Sequence, residues 1–306
     1  MRKLSLATLS VTVICAVFLS FNPLYSISNI PLPAEMDKQV CISGLVYSSD
    51  RLYFASERCP MIIASEPSTG KILETYRMNV PQNFEMEGIT TFKNKFYLVS
   101  ENVAALYEFD PTTKAFRQVQ TGNPLPPKTK NGDGMEGIAG NAVNNRFYLL
   151  RERNDDMSFS QIFTYTVKET EGGLSLEQES MIQLPLENPQ WRYSDICFDP
   201  ENSRLLLLKS YSKGRLRQQF IEALEIDKEG KLVAGSVTNV PVENFSTIST
   251  QYKDQDYSMN LEGITLDTEG NLYVVSDNTS GKAACDEPAR ERTILLKLKK
   301  NQPSKE

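Results

Sequence analysis

One short phrase occurs five times in this chain, and it constrains the fold more than any other feature. It reads S-G-L-V-Y-S-S-D-R-L-Y-F-A-S-E from Ser43 and E-G-I-T-T-F-K-N-K-F-Y-L-V-S-E from Glu87. It returns as E-G-I-A-G-N-A-V-N-N-R-F-Y-L-L-R-E from Glu136, as S-D-I-C-F-D-P-E-N-S-R-L-L-L-L-K-S from Ser194, and as E-G-I-T-L-D-T-E-G-N-L-Y-V-V-S-D from Glu262. Each copy is an apolar strand, a polar turn and a second apolar strand, which is a β-hairpin. Anchored at Gly44, Gly88, Gly137, Asp195 and Gly263, the copies are spaced by 44, 49, 58 and 68 residues. Hairpins recurring at such intervals predict an all-β chain folded as a β-propeller.

The phrase supplies the two inner strands of a blade, and apolar segments after it supply the outer two. Ala105–Asp110 and Ala115–Val119 complete blade two, and Met61–Ala64 and Ile72–Tyr76 complete blade one. Blade four takes Phe220–Ile226 and Leu232–Val237. The fifth copy ends after Thr293–Leu298 with only a polar tail, so its fourth strand must come from elsewhere. The expectation is a five-bladed ring of four-stranded blades, closed by an N-terminal strand near Met36–Cys41; closure of this kind protects the sheet edges. The alternative is six blades, with a degenerate one in 210–260.

Met1-Arg2-Lys3 followed by an almost uncharged run to Ser28 has the form of a signal peptide. The expected division is a leader over 1–28 and a single propeller over 29–306, placed outside the cytoplasm, in the periplasm or secreted. A retained N-terminal anchor is the alternative. No later segment is long and apolar enough to span a bilayer. The formal charge of −6 argues against nucleic acid as a partner and suits cations or basic ligands. Complete absence of histidine removes Ser-His-Asp and Cys-His catalysis and His-ligated zinc.

Four cysteines lie beyond the leader, and an oxidising compartment favours a disulfide. Cys59 and Cys285 each fall just past the second strand of copies that become neighbours when the ring closes, which predicts the pair Cys59–Cys285. Cys197, inside an inner strand, is expected to be a buried thiol; Cys41 stays undecided.

The acids of the phrase are the candidate site. Glu87, Glu136, Asp195 and Glu262 open their copies, and Glu101, Glu152 and Asp277 close theirs. The strands of a hairpin run antiparallel, so both sets belong at one mouth of the channel. Crowded like charges need neutralising. Calcium accepts such an oxygen set, Arg58, Arg151 or Arg153 offer an internal solution, and a purely structural role is the third. Three weaker elements are Asp254, Asp256, Asn260 and Glu262 in one loop, Asn131-Gly132-Asp133-Gly134 as ligand or turn, and Trp191-Arg192-Tyr193 as a ligand wall or blade packing.

The Glu-Gly-Ile openings at Glu87, Glu136 and Glu262, each leading to a strand that ends in Ser-Glu, Arg-Glu or Ser-Asp, resemble two related propeller families, the SdiA-regulated and the phytase esterase-like. The likeness spans nearly all of 36–300; the fourth copy departs from it at Ser194-Asp195. It implies a calcium-associated propeller and raises the chance of esterase or phosphoesterase activity; the favoured expectation is an exported binding or scaffold module with a metal ion and a small-molecule or protein ligand at the mouth. The alternative is a metal-dependent esterase, lactonase or phosphoesterase. No nucleophile with a base beside it is visible in the sequence.

Overall fold

The computed structural model describes residues 23–301, apart from Gln39, Gln82, Asn83, Gly172, Arg215, Lys253, Asp254, residues 279–284 and Asp286. Most of the expected leader, and Asp254, lie outside the described residues. Five antiparallel blades form the ring. Blade one runs outward through Ile42–Ser48, Arg51–Ser56, Met61–Ser65 and Ile72–Arg77. Blade two uses Met86–Phe92, Lys95–Ser100, Ala105–Phe109 and Phe116–Gln118. Blade three uses Met135–Asn141, Arg146–Arg151, Phe159–Thr170 and Gly173–Pro185, with Gln120–Thr121 added in parallel on its outside. Blade four uses Trp191–Asp199, Arg204–Lys213 and Leu216–Glu225. Its last strand is the two-residue Thr238–Asn239 rather than the expected 232–237, because Leu232 makes only an isolated bridge to Ile226. The 210–260 region holds no sixth blade: beyond that strand the chain forms the short helical turns Phe245–Thr247 and Ile248–Gln251, packed on blade four.

Blade five is Leu261–Leu266, Leu272–Ser276 and Leu295–Lys300, closed by Tyr25–Ile30. An N-terminal strand does close the ring, but it is not the segment expected. Residues Ala34–Asp37 turn as a 3-10 helix, and Cys41 has φ 54°, so that stretch cannot extend along a blade edge. The strand that closes the ring begins within the apolar run read as leader. Tyr25 is only 2 % exposed and lies among Leu206, Ile264, Val274 and Leu296.

Five apolar clusters fill the five gaps between neighbouring blades, including the gap from blade five to blade one that holds Ile42, Phe54, Tyr273 and Leu295. A closed ring follows, since no blade face is left uncovered. Aromatic pairs cross these gaps, Tyr53 to Phe96 at 4.7 Å and Phe92 to Phe147 at 5.0 Å between ring centroids. At the hub the innermost strands come closer than a side chain permits. A Cβ on Gly88 would stand 2.6 Å from the Glu136 carbonyl oxygen, so only glycine fits there. Cys59 and Cys285 form the expected disulfide between blade one and the blade five loop. Cys197 is half-buried, less enclosed than its strand position suggested.

Candidate functional site

A β-bulge interrupts the first strand of every blade at the same point of the phrase. In four blades the register steps over one residue: Ser43, Glu136, Ser194 and Glu262 respectively. In blade two the shift between Met86 and Ile89 contains Glu87. A bulge re-aims the side chain it carries. Here it sets three glutamates and two serines into one ring around the channel. The closing acids meet them at the same mouth, because the amides of Glu57, Glu101, Glu152 and Asp277 bond to the carbonyls of Cys41, Glu85, Gly134 and Asn260, next to the start of each inner strand.

Asp195 stands apart. It occupies the position that is glycine in the other copies, and both its oxygens are used, Oδ1 by the Ile196 amide at 2.8 Å and Oδ2 by the Ile264 amide at 2.9 Å. It is 1 % exposed and ties blade four to blade five. Its place is in the hub, not in the ring of acids.

Two sets of groups divide the mouth. On one side Glu57, Glu85 and Glu87 each offer an oxygen, all within 4.8 Å of one another. Ser43 donates its hydroxyl to Glu87, Arg58 lies 3.2 Å from Glu57, and Lys128 pairs with both Glu85 and Glu101. On the other side Arg192 crosses between blades. It donates to Glu152 at 2.8 Å, to Glu262 at 2.5 Å and to Asn260 Oδ1 at 2.7 Å. Arg153 pairs with Asp133 at 2.6 Å and approaches Glu152 at 3.5 Å. Asn260 also donates to Asp277 at 3.2 Å. Arg151 turns away to Gln161 and the Pro127 carbonyl. Glu136 has no hydrogen-bonding partner among the described residues and stays partly open to the channel.

Burial and mutual repulsion govern these acids. Burial first, then the charges of Glu57 and Glu101, push the Glu87 carboxyl well above its usual range. Burial and then Glu87 do the same to Glu136. Glu101 and Glu262 are pushed up to about 7, mainly by burial, with Lys128 and Arg192 holding them back. Burial works against the charge on Arg192, but Glu262, Glu152 and Glu136 outweigh it and bind its proton more tightly.

Four features fit a hard cation. The donors are all oxygen, three carboxylates converge, and two buried oxygens, Glu262 Oε2 and Asp133 Oδ2, have no hydrogen-bonding partner among the described residues. Acids also outnumber bases here. Nine carboxylates (Glu57, Glu85, Glu87, Glu101, Asp133, Glu136, Glu152, Glu262 and Asp277) face four cations (Arg58, Lys128, Arg153 and Arg192) among the described residues. Calcium accepts six to eight such oxygens, typically at about 2.3–2.6 Å.

The residues missed in the sequence are Glu85 and Lys128, which lie outside the repeated phrase; Asp133 was noticed only as part of a ligand-or-turn segment. Arg192 was noticed only as a wall. Glu85 could have been found as the residue two before the bulge, the position Arg192 and Asn260 hold in blades four and five. Trp191 packs on Tyr211 and Phe220, as blade packing rather than a ligand wall.

The molecule is therefore a five-bladed propeller with an acidic channel mouth. The family model described as phytase-like, "Esterase-like activity of phytase", matches residues 78–279, well over half of the chain, and the chain belongs to that family. Comparison with curated proteins gives no match. Among solved structures, a glutaminyl cyclase from Myxococcus xanthus is similar at 13 % identity and TM-score 0.51, covering 92 % of this chain and 100 % of the other. A streptogramin B lyase is similar at 12 % identity and TM-score 0.44, covering 90 % and 98 %. A gluconolactonase from Xanthomonas campestris is similar at 14 % identity and TM-score 0.42, covering 83 % and 84 %. Likeness at these identities is one of fold alone.

Proposed function

We propose that the protein is an exported propeller that binds a divalent cation, calcium by preference, at its acidic mouth and acts there as a binding module. One observation carries this reading: Glu57, Glu85 and Glu87 converge within 4.8 Å, near the ring acid Glu136, which has no hydrogen-bonding partner among the described residues. The Cys59–Cys285 disulfide supports an extracytoplasmic setting. Among the described residues no helix is long and apolar enough to cross a membrane. The test is a melt of chelator-stripped protein titrated with calcium and with magnesium. Ligand that binds only the folded state raises the midpoint as RT ln(1 + [L]/Kd). A calcium-selective rise that disappears in Glu87→Gln upholds the reading; no rise with either ion sinks it.

A second reading is favoured by the family's description, which names an esterase-like activity. It makes the same mouth a metal-dependent hydrolase of esters, lactones or phosphoesters. Glu57, Glu85 and Glu87 would hold the cation, which when bound supplies a Lewis acid and an acidified water. Glu136 has its carboxyl free of protein partners and its proton held tightly by burial and by Glu87, so it can exchange a proton with a bound molecule. Arg192, fixed by Glu152, Glu262 and Asn260, presents a positive wall that orients an anionic group. Turnover of p-nitrophenyl acetate or p-nitrophenyl phosphate, lost with chelator and in Glu136→Gln, separates this reading from a binding module.

A further inference from the structure

Lys128 reaches the cation seat from outside the repeats. It stands in the Gly122–Gly134 connection between blades two and three, and its ammonium lies 2.8 Å from Glu85 Oε2 while pairing also with Glu101. The connection is pinned on both sides of it. Arg151 Nη2 donates to the Pro127 carbonyl at 3.1 Å, the Thr129 amide donates to the Asp133 carbonyl at 2.7 Å, and the Lys130 amide donates to Asp155 Oδ1 at 3.2 Å. A lysine left on a mobile loop would gain little from an ion pair. This one is delivered to the mouth by the fold, in a place where its stem is largely covered.

Glu85 is shared ground. It is one of the three carboxylates of the seat and is also the partner of Lys128. A divalent ion bound by Glu57, Glu85 and Glu87 must either take Glu85 from the ammonium or tolerate a positive charge beside it. Glu101 offers the ammonium a second partner, so Lys128 can release Glu85 without being stranded. We infer that Lys128 is a built-in counter-cation that competes with the metal for Glu85 and thereby sets how tightly the seat binds. It neutralises the mouth when no ion is bound and weakens the ion when one is. Lys128 is a positioning residue rather than a ligand, and its role rests on the cation reading above.

The test is calcium binding by isothermal titration calorimetry to chelator-stripped wild type, Lys128→Gln, Lys128→Met and Lys128→Arg, with the calcium-induced shift in melting temperature as a second readout. Removing the charge is expected to lower Kd at least about tenfold in the Gln and Met variants, equivalent to about 1.4 kcal/mol. Lys128→Arg keeps the charge and should stay within about threefold of wild type by the same measure. Without calcium the neutral variants should melt lower than wild type, and with saturating calcium the gap should narrow. A wild type that binds while both neutral variants bind equally or more weakly overturns this inference and leaves the cation seat intact. Binding absent from wild type and from every variant overturns the seat, and this inference with it.

Discussion

A chain that starts at residue 29 should be markedly less stable than one that starts at residue 23. The shorter chain loses Tyr25, Ser26, Ile27 and Ser28, which pair with Lys300, Lys299, Leu298 and Lys297 in the closing strand of blade five. It also loses the bond from the Leu24 amide to the Pro241 carbonyl and the bond from the Asn301 amide to the Leu24 carbonyl, which tie this strand to its surroundings. Each ladder bond contributes only about 1 kcal/mol net, and freeing each residue returns about 1–2 kcal/mol of backbone entropy, so the ladder roughly cancels. The side chains decide the outcome. Tyr25, 2 % exposed, fills the gap between blades four and five, and its removal uncovers Leu296 and Leu298, which are fully buried. Deleting a large buried aromatic costs about 3–5 kcal/mol. At about 2–4 °C per kcal/mol for a domain of this size, the melting point should fall by on the order of 10 °C. Differential scanning calorimetry of 23–306, 29–306 and Tyr25→Ala in the longer chain measures it, with the point variant accounting for most of the loss. If 29–306 melts within about 2 °C of 23–306, the closing role of this strand is refuted.

Other perturbations have equally definite signs. Gly88→Ala places a Cβ 2.6 Å from the Glu136 carbonyl and should cost about 1–3 kcal/mol in urea unfolding, because backbone rather than a flexible side chain must move. In chelator-stripped protein, stability should fall as pH rises from about 5 to 8. Glu101 and Glu262 have folded pKa values raised to about 7 above an unfolded value near 4.3, so the folded state holds more protons in that window and loses the benefit as they ionise. Saturating calcium should flatten the slope, and a slope that rises with pH contradicts the buried-acid account. Cys59→Ser with Cys285→Ser opens a link spanning 226 residues and should lower stability by about 3–5 kcal/mol, read as the difference between oxidised wild type and the variant.

Much of the architecture is legible in the residue order, because a blade is a local object. Alternating apolar residues and polar turns set each hairpin, and five copies of the phrase, four of them anchored on glycine, predict five blades with their opening and closing residues at one mouth. The disulfide followed from the same register, since Cys59 and Cys285 end equivalent strands of blades that become neighbours. The same logic placed Glu87, Glu136 and Glu262 at one mouth of the channel with the closing acids Glu101, Glu152 and Asp277. Asp195, in the position that is glycine in the other copies, instead gives both its oxygens to the amides of Ile196 and Ile264.

What the ring closure alone decided lies between distant parts of the chain. Tyr25–Ile30 meets Leu295–Lys300 only because blade five lacks an outer strand, and no local pattern separates that segment from the apolar run before it. Arg192, at the start of the blade-four inner strand, reaches Glu262 across 70 residues, and Lys128, in the connection between blades two and three, reaches Glu85 across 43. Hairpin register follows from alternation and turn chemistry over a dozen residues. Which charges face one another across the axis depends on the angle at which whole blades pack, so the repeated phrase names only the acids that open and close its copies, and the closed tertiary structure adds Glu85 and brings Arg192 and Lys128 against them.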